Sequence, residues 1–153
     1  MYEGPLFIAS DHGGFQLKKR LVRFIENELH LTITDLGPEI HDPTDDFPDY
    51  ASALAKKVVS SGGRGILLCK SGIGVCVVAN KMHGIRAGLG YNITVAESMI
   101  HDDNTNILCL AGGILSEEFA MAITRKWLET AYEKNERFER RLEKIADLDA
   151  SYN

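Results

Sequence analysis

The residues best suited to chemistry lie in one stretch, Arg64–Lys81, which reads RGILLCKSGIGVCVVANK. A short apolar run, Ile66-Leu67-Leu68, ends in Cys69, and the tight turn Lys70-Ser71-Gly72-Ile73-Gly74 follows. Two glycines one residue apart let the backbone turn sharply and leave amide N–H groups facing outward. A helix expected from about Val75 adds free donors and the positive end of its dipole. Together these make an anion cradle with a thiol at its lip. Lys70 and the helix start are neighbours that favour a thiolate, which can serve as nucleophile or general base. The competing structural reading is a βα turn holding a buried cysteine, the role expected of Cys76 and Cys109.

Three further groups carry chemical potential. Asp11-His12 closes the first apolar run and reads either as a pair of turn residues or as a wall facing the cysteine turn. Arg137 and Arg141 are spaced i,i+4 on the last helix. Like charges at that spacing repel slightly, so they either form a solvated face or converge on a phosphate. His101, ahead of Asp102-Asp103-Asn104, is an acid/base candidate or a cation at a helix C-terminus. Metal binding at Cys69 is not expected, because no second cysteine or histidine stands at ligand spacing. A dinucleotide site fails on detail. Val77 replaces the third glycine, the turn follows the third strand, and Gly90-Tyr91-Asn92 places no carboxylate for a ribose. The Gly-Lys-Ser/Thr ending of a Walker loop is also missing.

The elements that must position these groups alternate. Pro5–Ser10 reads as a strand, and Leu17, Leu21, Ile25 and Leu29 give the next helix an apolar face. Leu31–Leu36 reads as a second strand ending at Gly37, and Pro38–Asp49 as a loop. Pro48 suits the first turn of a helix whose inner face is Tyr50, Leu54 and Val58. The stretch around Cys69 supplies strand three and its helix, and Ile85–Leu89 is strand four. Thr94 and Glu97 have capping-box spacing, predicting a helix to about Ile100. Ile107–Leu110 is strand five; Ser116 opens a helix to about Ala131, and a charged helix spans roughly 135–147. The pattern predicts a single-domain α/β fold over residues 1–153. It would be a Rossmann-like three-layer α/β/α sandwich with a five-stranded parallel sheet and an extra C-terminal helix. With strands in the order 2-1-3, Asp11-His12 and the Cys69 turn open into one crevice beyond the strand ends.

Bulk properties narrow the partners. The chain has 153 residues, 44% hydrophobic and 25% charged, with a formal net charge of −5. That balance argues against nucleic acid or an anionic membrane as partner. No run approaches a membrane span, and the start MYEGPLFIAS does not read as a secretory signal. Three cysteines form neither an even set nor a C-x-x-C pair, so a cytoplasmic protein with reduced thiols is expected.

The ordered motifs Asp11-His12-Gly13, Asp49-Tyr50-Ala51, Gly65–Gly74, Ala79-Asn80-Lys81 and Gly84–Ala87 resemble the ribose-5-phosphate isomerase type B and galactose-6-phosphate isomerase family. Asn104–Leu108 and Arg137-x-x-Arg140-Arg141-x-x-Lys144-Ile145 extend the resemblance over nearly the whole chain. It implies a doubly wound fold and a homodimer, with a tetramer as the larger alternative, whose sites draw on both subunits. It also implies interconversion of ribose 5-phosphate and ribulose 5-phosphate through an enediolate, without metal or cofactor. The six-carbon branch is the alternative substrate class, and a non-catalytic phosphosugar-binding module the alternative of another kind. By resemblance Cys69 is the base, and Lys70–Gly74 with the Ser71 hydroxyl stabilise the enediolate. Asp11 and His12 contact the sugar, and Arg137 with Arg141 hold the phosphate. Lys70 stands where the family usually has glycine, Asp102-Asp103 where His-Asn is common, Gly113 where an arginine is frequent, and Phe138 where histidine is usual. Ring opening therefore falls to His101 or to Asp11.

Overall fold

The computed structural model describes residues 1–151. Five strands and six helices follow in order: β1 (Leu6–Ser10), α1 (Phe15–Asn27), β2 (Thr34–Asp35), α2 (Phe47–Ser61), β3 (Arg64–Cys69), α3 (Ile73–Ala79), β4 (Ala87–Leu89), α4 (Ile93–His101), β5 (Ile107–Ala111), α5 (Glu117–Glu129) and α6 (Glu136–Ser151). All pairings are parallel, in the order β2-β1-β3-β5-β4. The expected 2-1-3 arrangement is present, and β5 lies between β3 and β4. The chain winds from β1 outward to β2 and then back across to β3. That reversal opens a crevice at the carboxyl ends of β1 and β3.

Strand alternation sorts the core into two faces. Leu6, Ile8, Ile66, Leu68, Leu108 and Leu110 pack with α1, α4 and α5. Phe7, Ala9, Leu67, Cys69, Ile107 and Cys109 pack with α2 and α3. The central strands β1 and β5 are buried at every residue, and β3 at all but Arg64. This explains why they read as continuous apolar runs rather than alternating ones.

Several boundaries differ from expectation: β4 starts two residues late, at Ala87, α5 ends at Glu129, and four further differences have a clear local reason. The second strand shrinks to two residues, because Leu31 still bonds back to the Ile25 carbonyl after the left-handed His30 (φ 56°). The helix after β4 is capped by Asn92, whose side chain accepts from Val95 N–H at 2.7 Å, and not by Thr94. Gly72, left-handed at φ 73°, turns the chain fast enough for α3 to start at Ile73, two residues early. The final helix runs from Glu136 to Ser151, because its far end is tied down by Asp149. That carboxylate accepts from Gly84 N–H at 2.6 Å and pairs with His83 Nδ1 at 3.0 Å.

The loop between β2 and α2 is tethered from below by Lys18, which is fully buried. Its three ammonium protons meet three acceptors: both Asp35 carboxylate oxygens, at 2.7 and 2.8 Å, and the Pro38 carbonyl at 2.7 Å. A buried charge is tolerable only when so completely partnered.

Candidate active site

Three turns meet at the carboxyl end of the sheet: residues 11–14 after β1, 70–72 after β3, and 112–113 after β5. Gly112 and Gly113 N–H groups donate to the Cys69 and Lys70 carbonyls at 2.8 and 3.0 Å, extending the β3–β5 pairing into the turns. The backbones then touch directly. A Cβ on Gly13 would sit 2.7 Å from Lys70 N, and one on Gly112 would sit 2.7 Å from Gly14 Cα. Only glycine allows this approach.

Cys69 closes β3 on the α2/α3 face and is 5% exposed. Its Sγ accepts from Gly72 N–H at 3.1 Å, a bond that fixes the sulfur at the mouth of the turn. Ser71 Oγ accepts from Ile73 N–H at 3.3 Å. The N–H groups of Gly74 and Val75, at the start of α3, find no partner among the described residues. The region therefore offers a sulfur base next to unspent backbone donors, the pairing that proton abstraction beside a carbonyl requires. Cys76 and Cys109 lie on the same face. The Cys109 thiol donates toward Cys76 and brings it down to about 7, while burial pushes Cys109 well up.

Asp11 is buried beside this turn, its Oδ1 accepting from Gly14 N–H at 3.1 Å. Oδ2 carries no hydrogen bond among the described residues, leaving it available to a ligand. His12 is exposed, with Nδ1 2.6 Å from Asp45 Oδ1. That hydrogen bond first, and the charges of Asp11 and Asp45 after it, raise the His12 pKa. Asp11, His12 and Asp45 bring ligand-type atoms within 4.8 Å of one another. The Nδ1–Oδ1 separation is that of a hydrogen bond, so these two atoms are engaged with each other.

The remaining candidates lie elsewhere. His101 is the last residue of α4, and α4 carries the chain back to the amino ends of the strands. There Asn106 O accepts from Gly65 N–H at the start of β3. His101 Nδ1 is 2.5 Å from Asp102 and Nε2 pairs with Glu133. The Asp102 hydrogen bond is the main cause of its raised pKa. The His101 ring stands edge-on to Phe138 of α6 at 5.8 Å. Arg137 and Arg141 lie on the same helix, both exposed and neither ion-paired among the described residues. Arg141 is close enough to Asp103 to offset part of that carboxyl's burial-driven rise. A six-residue β3 spans about 20 Å, longer than a pentose phosphate. One chain thus gathers Asp11, His12 and Cys69–Gly74 at one end, and His101, Arg137 and Arg141 at the other.

A family model described as Ribose/Galactose Isomerase matches residues 6–145. The chain belongs to this family. A relative from Mycoplasma pneumoniae named probable ribose-5-phosphate isomerase B is 38% identical over 130 residues, 84% of this chain and 85% of that protein. The ribose-5-phosphate isomerase B of Mycoplasma genitalium, solved with bound ribulose-5-phosphate, superposes with a TM-score of 0.92 at 34% identity. The match covers 98% of this chain and 99% of that one. The type B ribose 5-phosphate isomerase of Trypanosoma cruzi gives 0.93 at 30% identity over 100% of both chains. The five-stranded sheet and its helices are thus the architecture of the Ribose/Galactose Isomerase family.

Two parts of the site were not foreseen. Asp45 is 33 residues from His12 in sequence, and an aspartate in a proline-rich loop carries no local signal of its partner. The Gly112-Gly113 turn is invisible as a wall until β5 is known to lie beside β3.

Proposed function

We infer that the chain is an aldose–ketose isomerase that interconverts ribose 5-phosphate and ribulose 5-phosphate. The observation that supports it most directly is the hydrogen-bonded Cys69 sulfur beside the unpartnered Gly74 and Val75 amides. Ring opening moves a proton from the anomeric hydroxyl to the ring oxygen, and in this reading the buried Asp11 carboxylate relays it. The Cys69 thiolate then removes the proton from C2 of the open aldose. Negative charge develops on the C1 oxygen, where the backbone of Lys70–Gly74 and the Ser71 hydroxyl stabilise the enediolate. As a proton passes from the C2 hydroxyl to the C1 oxygen, the same thiol returns the abstracted proton to C1, giving the ketose. A general base contributes roughly a hundred- to ten-thousand-fold, and preorganised donors a comparable factor.

The phosphate clamp in this reading is Arg137 with Arg141 of a second copy, because the first copy's own pair lies a strand length away. His101 of that copy comes with it. An isologous homodimer is supported by Ile73, Val77 and Ile114, large apolar side chains that are 57%, 55% and 73% exposed close to the crevice. No helix is long and apolar enough to cross a membrane among the described residues. The three free cysteines are in keeping with the cytoplasm.

The test is conversion of five- and six-carbon aldose phosphates in parallel, with the Cys69→Ala variant alongside. Ketose is expected from ribose 5-phosphate, and Cys69→Ala should lose turnover at least about a hundredfold while still binding sugar phosphate. Preference for the six-carbon substrate would move the assignment to the galactose branch. Binding without turnover in the native chain would make it a phosphosugar-binding module.

A further inference from the structure

Asp45 is a carboxylate whose burial the reaction outlined above does not use. Its side chain is only 7% exposed, against 40% for the His12 side chain it holds. One oxygen, Oδ1, accepts from the His12 backbone N–H at 3.0 Å and lies 2.6 Å from Nδ1 of the same residue. The other, Oδ2, is buried without a hydrogen-bond partner. Burying a carboxylate with one oxygen unmet is costly, and the hydrogen bonds to its other oxygen come from His12, with the Tyr50 phenol beside it. The loop that delivers Asp45 is itself pinned by Lys18 at Pro38 and by the start of α2 after Asp46. The hold on His12 is therefore rigid at both ends.

We propose that Asp45 is the positioning residue of the substrate site, fixing the His12 ring through Nδ1 so that Nε2 is presented as the donor to the sugar phosphate. A ring gripped at the backbone and at Nδ1 by one oxygen has little freedom to rotate. Nε2 finds no partner among the described residues, and the side chain that carries it is 40% exposed. Donation from both nitrogens requires the imidazolium, and the surroundings favour it. Asp11 and Asp45 act on the ring, His41 lies edge-on with its centroid 6.3 Å away, and the Asp42 carboxylate interacts with both histidines. The Tyr50 phenol beside Asp45 is pushed up, by burial first, and stays neutral. His12 becomes an oriented cation at the mouth of the anion cradle, and its orientation comes from the β2–α2 loop rather than from its own turn.

This inference rests on the sugar-phosphate reading, so the experiment measures binding separately from turnover. The His12 ring proton signals are followed by NMR during titration with pH and with ribose 5-phosphate, His12→Gln identifying the signal. In Asp45→Asn the His12 midpoint should fall toward that of free histidine, and ribose 5-phosphate should bind about tenfold more weakly, the worth of one charge-assisted hydrogen bond. Asp45→Ser, which keeps a short acceptor for the His12 backbone N–H but removes the charge, should act in the same way. In a His12→Gln background Asp45→Asn should add no further loss. An unchanged His12 midpoint in folded Asp45→Asn or Asp45→Ser overturns the proposal, as does an equal loss of affinity with His12 already removed. Absence of isomerisation by the native chain would overturn the functional reading and leave this comparison intact.

Discussion

His12 and His101 are both drawn toward the imidazolium, by different carboxylates at opposite ends of the sheet. A histidine whose pKa is raised on folding stabilises the native state fully below its unfolded value, about 6.5. The contribution is lost as pH rises through the raised value. Thermal unfolding midpoints should thus decline from pH 6 upward across the raised values, and Asp102→Asn should flatten the His101 part of that decline. Both rings are solvent-exposed, so the slope is shallow. An unaltered profile in Asp102→Asn would count against the pairing. At this scale the Cys69 turn was legible because its parts are adjacent: strand end, thiol, glycines and helix start fall within six residues. Asp45 was not legible, because its meaning depends on a histidine in another turn. The placement of His101 depended on the direction of α4, which puts it at the amino end of the sheet.

Among elements, the Lys18 anchor is the most asymmetric. Lys18 is fully buried, whereas its partner Asp35 keeps 37% of its side chain exposed. Asp35→Ala leaves an ammonium buried without its counter-charge and also frees Gly37 N–H, which Asp35 accepts at 2.9 Å. Loss of one partner of a buried pair typically costs about 3–5 kcal/mol. Lys18→Met fills the same volume and lets Asp35 return to water, so it should cost clearly less. Urea unfolding of the two variants measures the difference, and equal losses would show that the charge itself is unimportant. The apolar pattern disclosed the central strands well, since β1, β3 and β5 are buried on both faces. It overstated β2, where Leu31–Ile33 packs as the exit of α1 and only Thr34 and Asp35 pair with β1. The capping-box spacing of Thr94 and Glu97 lost to Asn92, which stands one residue before the helix and reaches its free N–H groups directly.

For the molecule as a whole, the decisive fact is that its two candidate half-sites lie at opposite ends of the sheet. If each site joins Cys69 of one copy to Arg141 of another, two inactive variants complement each other. Cys69→Ala and Arg141→Ala homodimers, dissociated and remixed, form mixed dimers with one intact and one doubly defective site. Random exchange restores about a quarter of native activity for a two-fold symmetric dimer. A site built within one chain gives no recovery. Light scattering on the same samples reports whether the dimer exists. The fold class, the strand order near the crevice and the shape of the Cys69 turn could be reached from sequence. The separation of the half-sites could not, because residue spacing along the chain does not reveal to which end of a sheet a helix returns.

The glycine contacts at Gly13 and Gly112 bear on how this enzyme can diverge. The back of the crevice is peptide pressed against peptide, so there is no side chain there to exchange and no room to add one. Mutation can recontour the pocket only at its rim, at Lys70, His12 and the loop carrying Asp45. A lineage changing its sugar would therefore retain the chemistry while altering which molecules reach it. The turn around Cys69 would be inherited nearly unaltered, and the record of past substrates would be written in the residues around the entrance.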